Sequence, residues 1–241
     1  MATFDQTRGR IVGRIVYDGS SGAGKSTNLR ALSLLLPSPG DALSPAPTDL
    51  AVLCDFQELA AGRVGDFPVL CQVLGCPSHP ALLPRREVLV ASADVVVLVC
   101  EPSMGSLVEI QGRIASLRRC AETHGRPLVL VVQANKQDRS TSLTAEELAH
   151  FLDLPEVPVI AAVASAGSGV VDTYLAAVRA LGRTLGGTAG GEVTRLPVGA
   201  PETREALWRR LARVPLVVRD AAELALDDLV AAARASDART R

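Results

Sequence analysis

Aromatic side chains make up only 3% of this chain, so valine, leucine and alanine must build most of its core. Charge of one sign is also missing. Twenty-five Lys and Arg against 26 Asp and Glu leave a net charge of −1. That balance supplies no field for diffuse binding to a phosphate backbone, and no nucleic-acid partner is expected. Long apolar runs are absent too. Stretches such as Val95 to Cys100 are strand-sized and far short of a membrane span. The first residues, Met-Ala-Thr-Phe-Asp-Gln-Thr-Arg, hold no apolar signal segment. Neither a glycine after Met1 nor a terminal cysteine offers a lipidation site. The expectation is a cytoplasmic protein with no direct membrane anchor. No pair among Cys54, Cys71, Cys76, Cys100 and Cys120 has Cys-x-x-Cys spacing. Several sit in apolar runs and read as reduced, mostly buried thiols. What remains, 241 residues of which 48% are hydrophobic, suits one compact core with an appendage, or at most two small domains.

Residues Gly19-Ser-Ser-Gly-Ala-Gly-Lys-Ser26 match Gly-x-x-x-x-Gly-Lys-Ser/Thr, the phosphate-cradling P-loop. The apolar run Ile11–Tyr17 reads as a strand entering it, and Ser26–Leu36 as a helix leaving it, stopped by Pro37. Gly19 and Gly24 free the backbone so that several N–H groups can face phosphate oxygens. The helix N-terminus adds its partial positive charge. Gly19, Ser20, Gly22, Ala23, Gly24, Lys25, Ser26 and Thr27 are therefore the candidate phosphate contacts. Lys25 would reach the β- and γ-phosphates, and the Ser26 hydroxyl would ligate Mg²⁺.

Strands and helices alternate along the chain, which predicts a parallel sheet covered on both faces. Further strands are predicted at Leu50–Phe56, Phe67–Leu74, Ala93–Cys100, Pro127–Val132 and Val157–Val163. The first two would form a hairpin through Ala60–Gly65. Residues 37–47 and 75–86 read as Pro-rich loops. Leu107–Cys120 has helical spacing, with Leu107, Ile110, Ile114 and Leu117 on one face. Thr144-Ala-Glu-Glu147 is a capping box opening a helix to about Leu152. Val171–Leu185 is predicted to be helical. Gly186–Gly191 then signals a flexible linker. Amphipathic helices are expected at about Glu202–Ala212 and Arg219–Ala235.

Directly after the Pro127–Val132 strand comes Asn135-Lys136-Gln137-Asp138. The Asp138 carboxylate suits two donors, guanine N1–H and its 2-amino group. Adenine offers no such pair, and an unpaired carboxylate costs roughly 1–3 kcal/mol. The Lys136 stem can lie against the purine, and Asn135 can tie this loop to the P-loop. Ala164-Ser165-Ala166-Gly167 follows the last strand and could present the Ala166 N–H to guanine O6.

This order of motifs resembles the Ras-like small GTPases over about residues 8–185, and within them the bacterial MglA-type GTPases of gliding motility and polarity. Lys25-Ser-Thr-Asn-Leu29, Thr48-Asp49, Asp55-Phe56, Gln133, and Gly167-Ser-Gly169 through Asp172-Thr173 carry the similarity. The resemblance implies a P-loop NTPase fold, with a small G-protein-like, mostly parallel six-stranded sheet flanked by helices, plus a C-terminal helical extension. It implies a GTP/GDP switch with Mg²⁺, whose two loops are ordered by the γ-phosphate. Thr48 becomes the switch-I group closing on Mg²⁺. A roadblock-domain (MglB-like) regulator and downstream effectors are the implied partners.

The chain departs from that pattern where hydrolysis is organised. Gly75-Cys76-Pro77-Ser78-His79 stands where MglA-type proteins carry Thr-Val-Pro-Gly-Gln. The acidic group near Mg²⁺ is missing, leaving Asp55 as its substitute. Ser78 replaces a glycine, and His79 replaces the glutamine that orients water. Leu50 stands at the family's switch-I arginine. Lys25, Thr48 and His79 are the candidate catalytic residues, and Ser26, Thr48 and Asp55 the metal set. The domains read as a G domain at 8–185, a linker at 186–200 and an extension at 201–241. Three functions fit: a GTP switch with slow or partner-aided hydrolysis, a guanine-nucleotide scaffold that turns over nothing, and a P-loop ATPase or kinase.

Overall fold

The computed structural model describes residues 2–36, 54–186 and 196–217. Its centre is a mixed sheet. Strands β2 (Arg10–Asp18), β4 (Phe67–Gly75), β5 (Val95–Cys100), β6 (Leu130–Ala134) and β7 (Val159–Ala161) run parallel. β3 (Asp55–Val64) joins antiparallel to β4, in the order β3-β4-β2-β5-β6-β7. β5 pairs with Ile15–Asp18 of β2, which leaves the start of β2 free on that side. A seventh strand, β1 (Thr3–Asp5), pairs antiparallel with Arg10–Val12.

Six helices complete the described fold: α1 (Lys25–Leu35), α2 (Leu83–Ser92), α3 (Leu107–Thr123), α4 (Ala145–Leu152), α5 (Val170–Gly186) and α6 (Arg204–Ala212). Alternation along β2 decides the two layers. Ile11, Ile15 and Tyr17 face one core with Leu29 and Leu32 of α1 and Tyr174, Ala177 and Leu181 of α5. Val16 faces the other, built with Leu89 of α2, Ile110 and Ile114 of α3, Leu148 of α4 and Leu207, Trp208 and Leu211 of α6. Valine and leucine dominate both cores, as the scarcity of aromatics requires. All five cysteines are free, four of them buried.

Several expectations hold closely. The α3 face Leu107, Ile110, Ile114 and Leu117 is buried. Both hydrogen bonds of the Thr144–Glu147 capping box are present. Others shift. The described part of the hairpin's first strand begins at Asp55 and runs through Ala60-Ala-Gly-Arg, expected as the connection, to a Gly65-Asp66 turn, with a bulge between Ala60 and Arg63. Residues 50–53 lie outside the described residues, as do Thr48 and the helix expected at Arg219–Ala235. The 75–86 segment is only half loop. A 3₁₀ turn at Pro80–Leu82 leads straight into α2. Two of its three prolines, Pro80 and Pro84, stand in first-turn positions where a missing N–H costs nothing. In the segment read as linker, the end nearest α6 is docked: Phe4 donates its N–H to the Pro197 carbonyl and accepts from Gly199. No described helix is long and apolar enough to cross a membrane.

Candidate functional site

All the candidate loops issue from the carboxyl ends of parallel strands: β2 into Gly19–Gly24, β4 into Cys76–His79, β6 into Asn135–Asp138, and β7 into Ala164–Ala166. The crevice outside those ends is where open α/β sheets bind ligands.

The P-loop is shaped by close approach. A Cβ on Gly19 would stand 2.1 Å from the Val99 carbonyl oxygen, and one on Gly24, whose φ is 106°, would stand 2.3 Å from Asn135 Nδ2. Gly24 leads α1 with no side-chain cap, and the first turn of α1 has no acidic residue. By contrast, Thr144 and Thr203 cap α4 and α6. The α1 amides thus point at the crevice without a protein side chain to receive them, which suits a phosphate. Ser26 and Thr27 are exposed in that turn. Lys25 is buried, and its Nζ donates to the carbonyls of Gly19 and Ser20, each at 2.8 Å. Burial pulls its pKa below the ordinary lysine value, with Asp18 acting in the opposite sense.

Asn135 joins three loops at once. Its Nδ2 donates to the Ala23 carbonyl at 2.8 Å, and its Oδ1 accepts from the Ala164 N–H at 2.9 Å. Lys136 adopts a left-handed conformation, φ 61°, and its Nζ pairs with Glu101 Oε2 at 2.6 Å. Arg139 pairs with the other oxygen of Glu101. Asp138 is exposed and, among the described residues, its carboxylate has no partner. Ser165 and Ala166 are exposed in a 3₁₀ turn. The Ala166 N–H expected to face guanine donates instead to the Val163 carbonyl at 3.0 Å.

The side of the crevice where the resemblance would place hydrolysis is less complete. Cys76 N–H bonds the Tyr17 carbonyl, which seats the β4 exit beside the P-loop strand. His79 Nδ1 accepts from the Ala81 N–H at 3.2 Å. With Nδ1 turned onto its own turn, Nε2 is the ring nitrogen of His79 left to meet water. Asp55 is exposed opposite Gly75, where a Cβ on Gly75 would lie 3.0 Å from Asp55 Oδ2. Among the described residues no three His, Cys, Asp or Glu side chains gather to hold a metal. For Mg²⁺, which takes one or two protein oxygens beside phosphates, Ser26 and Asp55 are the described candidates.

Two arrangements were not legible in the sequence, although Asn28, Gln133 and Thr173 each carry part of the family resemblance. Asn28, Gln133 and Thr173 form one buried chain. Asn28 and Gln133 exchange amide hydrogen bonds at 2.8 Å, and Gln133 Nε2 also donates to Thr173 Oγ1 at 2.8 Å. Asn28 Nδ2 in turn reaches the Gly24 carbonyl at 2.9 Å, bracing the P-loop from α1. The second is Asp18. Fully buried at the end of β2, it takes two hydrogen bonds from Arg86 of α2, at 2.7 and 2.6 Å, with Arg113 of α3 at 3.7 Å. Burial alone would push the carboxyl up, but Arg86 and then Arg113 outweigh it and hold Asp18 below the usual range. Ser20 adds a hydrogen bond to Glu109 of α3. One signal was available for the motif pair: the only two lysines in the chain are Lys25 and Lys136.

Over 172 residues the chain is 27% identical to the Mutual gliding-motility protein MglA of Myxococcus xanthus, covering 69% of this chain and 88% of that protein. The chain is related to the Ras-like, MglA-type small GTPases. No family model matches it. In an MglA-type frame, Gly19–Thr27 and Asn135–Asp138 fall at the two ends of the crevice, and Asn135 spans the distance between them. The α6 segment lies outside the candidate loops, in the core on the α2 and α3 side of the sheet.

Proposed function

We propose that this protein is a GTP-binding molecular switch that hydrolyses GTP to GDP slowly or with a partner's help. The observation that carries the reading is Asn135, which locks the P-loop, the Asn-Lys-x-Asp loop and the Ala164–Ala166 turn into one crevice. Its relation to MglA supports guanine nucleotide and Mg²⁺ as ligands. In this reading the α1 amides and Lys25 receive the phosphates, the Lys136 stem supports the base and Asp138 selects guanine. Ser26, Thr48 and Asp55 hold the ion. Mg²⁺ supplies charge neutralisation of the transferred phosphoryl oxygens. Residues 8–185 form the G domain, and 201–241 an extension joined through 186–200. A roadblock-domain regulator, effectors, a cytoplasmic site of action and a role in bacterial motility or polarity complete the proposal by relationship alone.

A second reading, a guanine-nucleotide scaffold without turnover, draws on His79. Its Nδ1 is engaged by the Ala81 N–H, and Gly75–His79 contains no side-chain amide to take the place of the glutamine that orients water. The test starts with the nucleotide released from purified protein, alongside titrations with GDP, a non-hydrolysable GTP analogue and ATP in Mg²⁺. The switch reading expects guanine preferred over adenine and GDP as the product of prolonged GTP incubation. Intact GTP after that incubation, with or without partner, leaves the scaffold. Absence of a guanine preference overturns both.

A further inference from the structure

The C-terminal helix does more than cover apolar surface. Leu207, Trp208 and Leu211 are buried in the α2/α3-side core. Trp208 lies beside the Cys54 thiol, and the Arg204 guanidinium sits 5.3 Å above the Phe56 ring and 5.6 Å above the Trp208 ring. Cys54 immediately precedes β3 and Phe56 is its second residue, on the chain that leads in from Thr48. Beyond α6 the chain turns to the other loop. The Val217 N–H donates to the Ala81 carbonyl at 3.0 Å, and Arg85 Nε reaches the Val214 carbonyl at 3.4 Å. Ala81 is also the residue whose N–H caps onto His79. One short segment thus grips both elements that flank the candidate switch loops.

A polar hub fixes the segment to the sheet. The Glu202 carboxylate takes two hydrogen bonds from Arg210, each 2.9 Å, and pairs with Arg14 of β2 at 3.1 Å. Arg14 also donates to Gln72 Oε1 at 2.7 Å, and Gln72 Nε2 donates to the Glu202 carbonyl at 2.8 Å. The grip is therefore anchored on β2, the strand that feeds the P-loop, and on its neighbour β4.

We propose that residues 202–217 are a built-in positioning element of the nucleotide site, holding the starts of β3 and α2 in the arrangement seen here and opposing the one that a γ-phosphate imposes. The inference rests on the guanine-nucleotide switch reading. In the present arrangement Lys25 is turned onto the carbonyls of its own loop and His79 onto its own turn. Drawing Cys76–His79 toward the crevice displaces Ala81, two residues on, and breaks the strap at Val217. The triphosphate state then has to loosen α6, and Glu202 and Trp208 act on nucleotide preference without touching nucleotide.

Trp208 is the chain's single tryptophan, so its emission reports this contact alone. The experiment uses full-length protein with GDP or a non-hydrolysable GTP analogue in Mg²⁺, each shown bound by direct partition. Expected is a shift of Trp208 emission to longer wavelength in the analogue state only. Glu202→Gln is expected to raise the analogue-to-GDP affinity ratio about fivefold or more, with GDP affinity little changed. Emission that is the same with both nucleotides bound, or an unchanged ratio in Glu202→Gln, overturns the strap and leaves the switch standing. Failure to bind either guanine nucleotide overturns both together.

Discussion

At the residue scale, Asp18 links nucleotide loop and helix layer through charge. A carboxylate with no exposed surface survives there because Arg86 grips both oxygens and Arg113 stands behind. Removing one member of such a pair leaves buried charge uncompensated. Asp18→Asn is therefore expected to cost about 3–5 kcal/mol in urea unfolding. The pair Asp18→Val with Arg86→Met removes both charges and is expected to recover much of that loss. The pH dependence has a definite sign. The folded carboxyl is held below its ordinary value, so its contribution is complete above about pH 4 and disappears as the pH falls further. Thermal unfolding from pH 7 to 3 should show a larger loss in the wild type than in the double variant, where only the other carboxylates titrate. The cysteines make a second residue-scale test. Burial pushes the thiols of Cys54, Cys71 and Cys100 up to about 12, and Cys76 is also raised. Only Cys120 is partly open to solvent. A thiol titration at pH 8 should count one reactive group in the native protein and five after unfolding.

At the scale of elements, the crevice depends on loops that approach one another more closely than side chains allow. Gly24→Ala places a methyl group where Asn135 Nδ2 now stands and demands a left-handed alanine. The strain, about 1–3 kcal/mol, falls on the Asn135–Ala23 hydrogen bond. The expected outcome is weakened nucleotide binding with the far-ultraviolet dichroism of the sheet retained; unchanged affinity in equilibrium titration would count against the crevice. Elements of this kind were legible because each motif follows a continuous apolar run. Val95–Cys100 and the start of β6 need no tertiary information to be read as buried strands. α2 was hidden because Pro80 and Pro84 look like loop residues until their first-turn positions are known. β1 was hidden because three residues carry too little pattern to see. Its partners, Arg10–Val12 and Val198, are decided only in the folded chain. The same limit applies to Asp18 and Arg86, 68 positions apart, and to Asn28 and Gln133, 105 apart. Spacing within a segment reveals a motif, while a buried polar pair across segments requires the topology.

At the scale of the whole molecule, the described part of the extension, residues 201–217, packs as part of the body. Leu207 and Leu211 are fully buried and Trp208 nearly so. Burying such side chains contributes roughly 1.5–3 kcal/mol each. The Glu202 hub adds charge-assisted hydrogen bonds from Arg210 and an ion pair with Arg14, and Arg14 would lose a charge partner without it. A chain ending at residue 195 would uncover the apolar floor made by Cys54, Phe56 and Leu74 and leave Arg14 with less compensation. An independent appendage would leave the midpoint of urea unfolding of the remaining body unchanged. The packing predicts the opposite: a lower midpoint and stronger binding of a hydrophobic dye by the truncated protein. Because the extension spans the flanks of both candidate switch loops, nucleotide exchange should also be faster in truncated protein that remains folded. Equal midpoints and equal exchange rates with and without residues 196–241 would separate the extension from the nucleotide body in both stability and function.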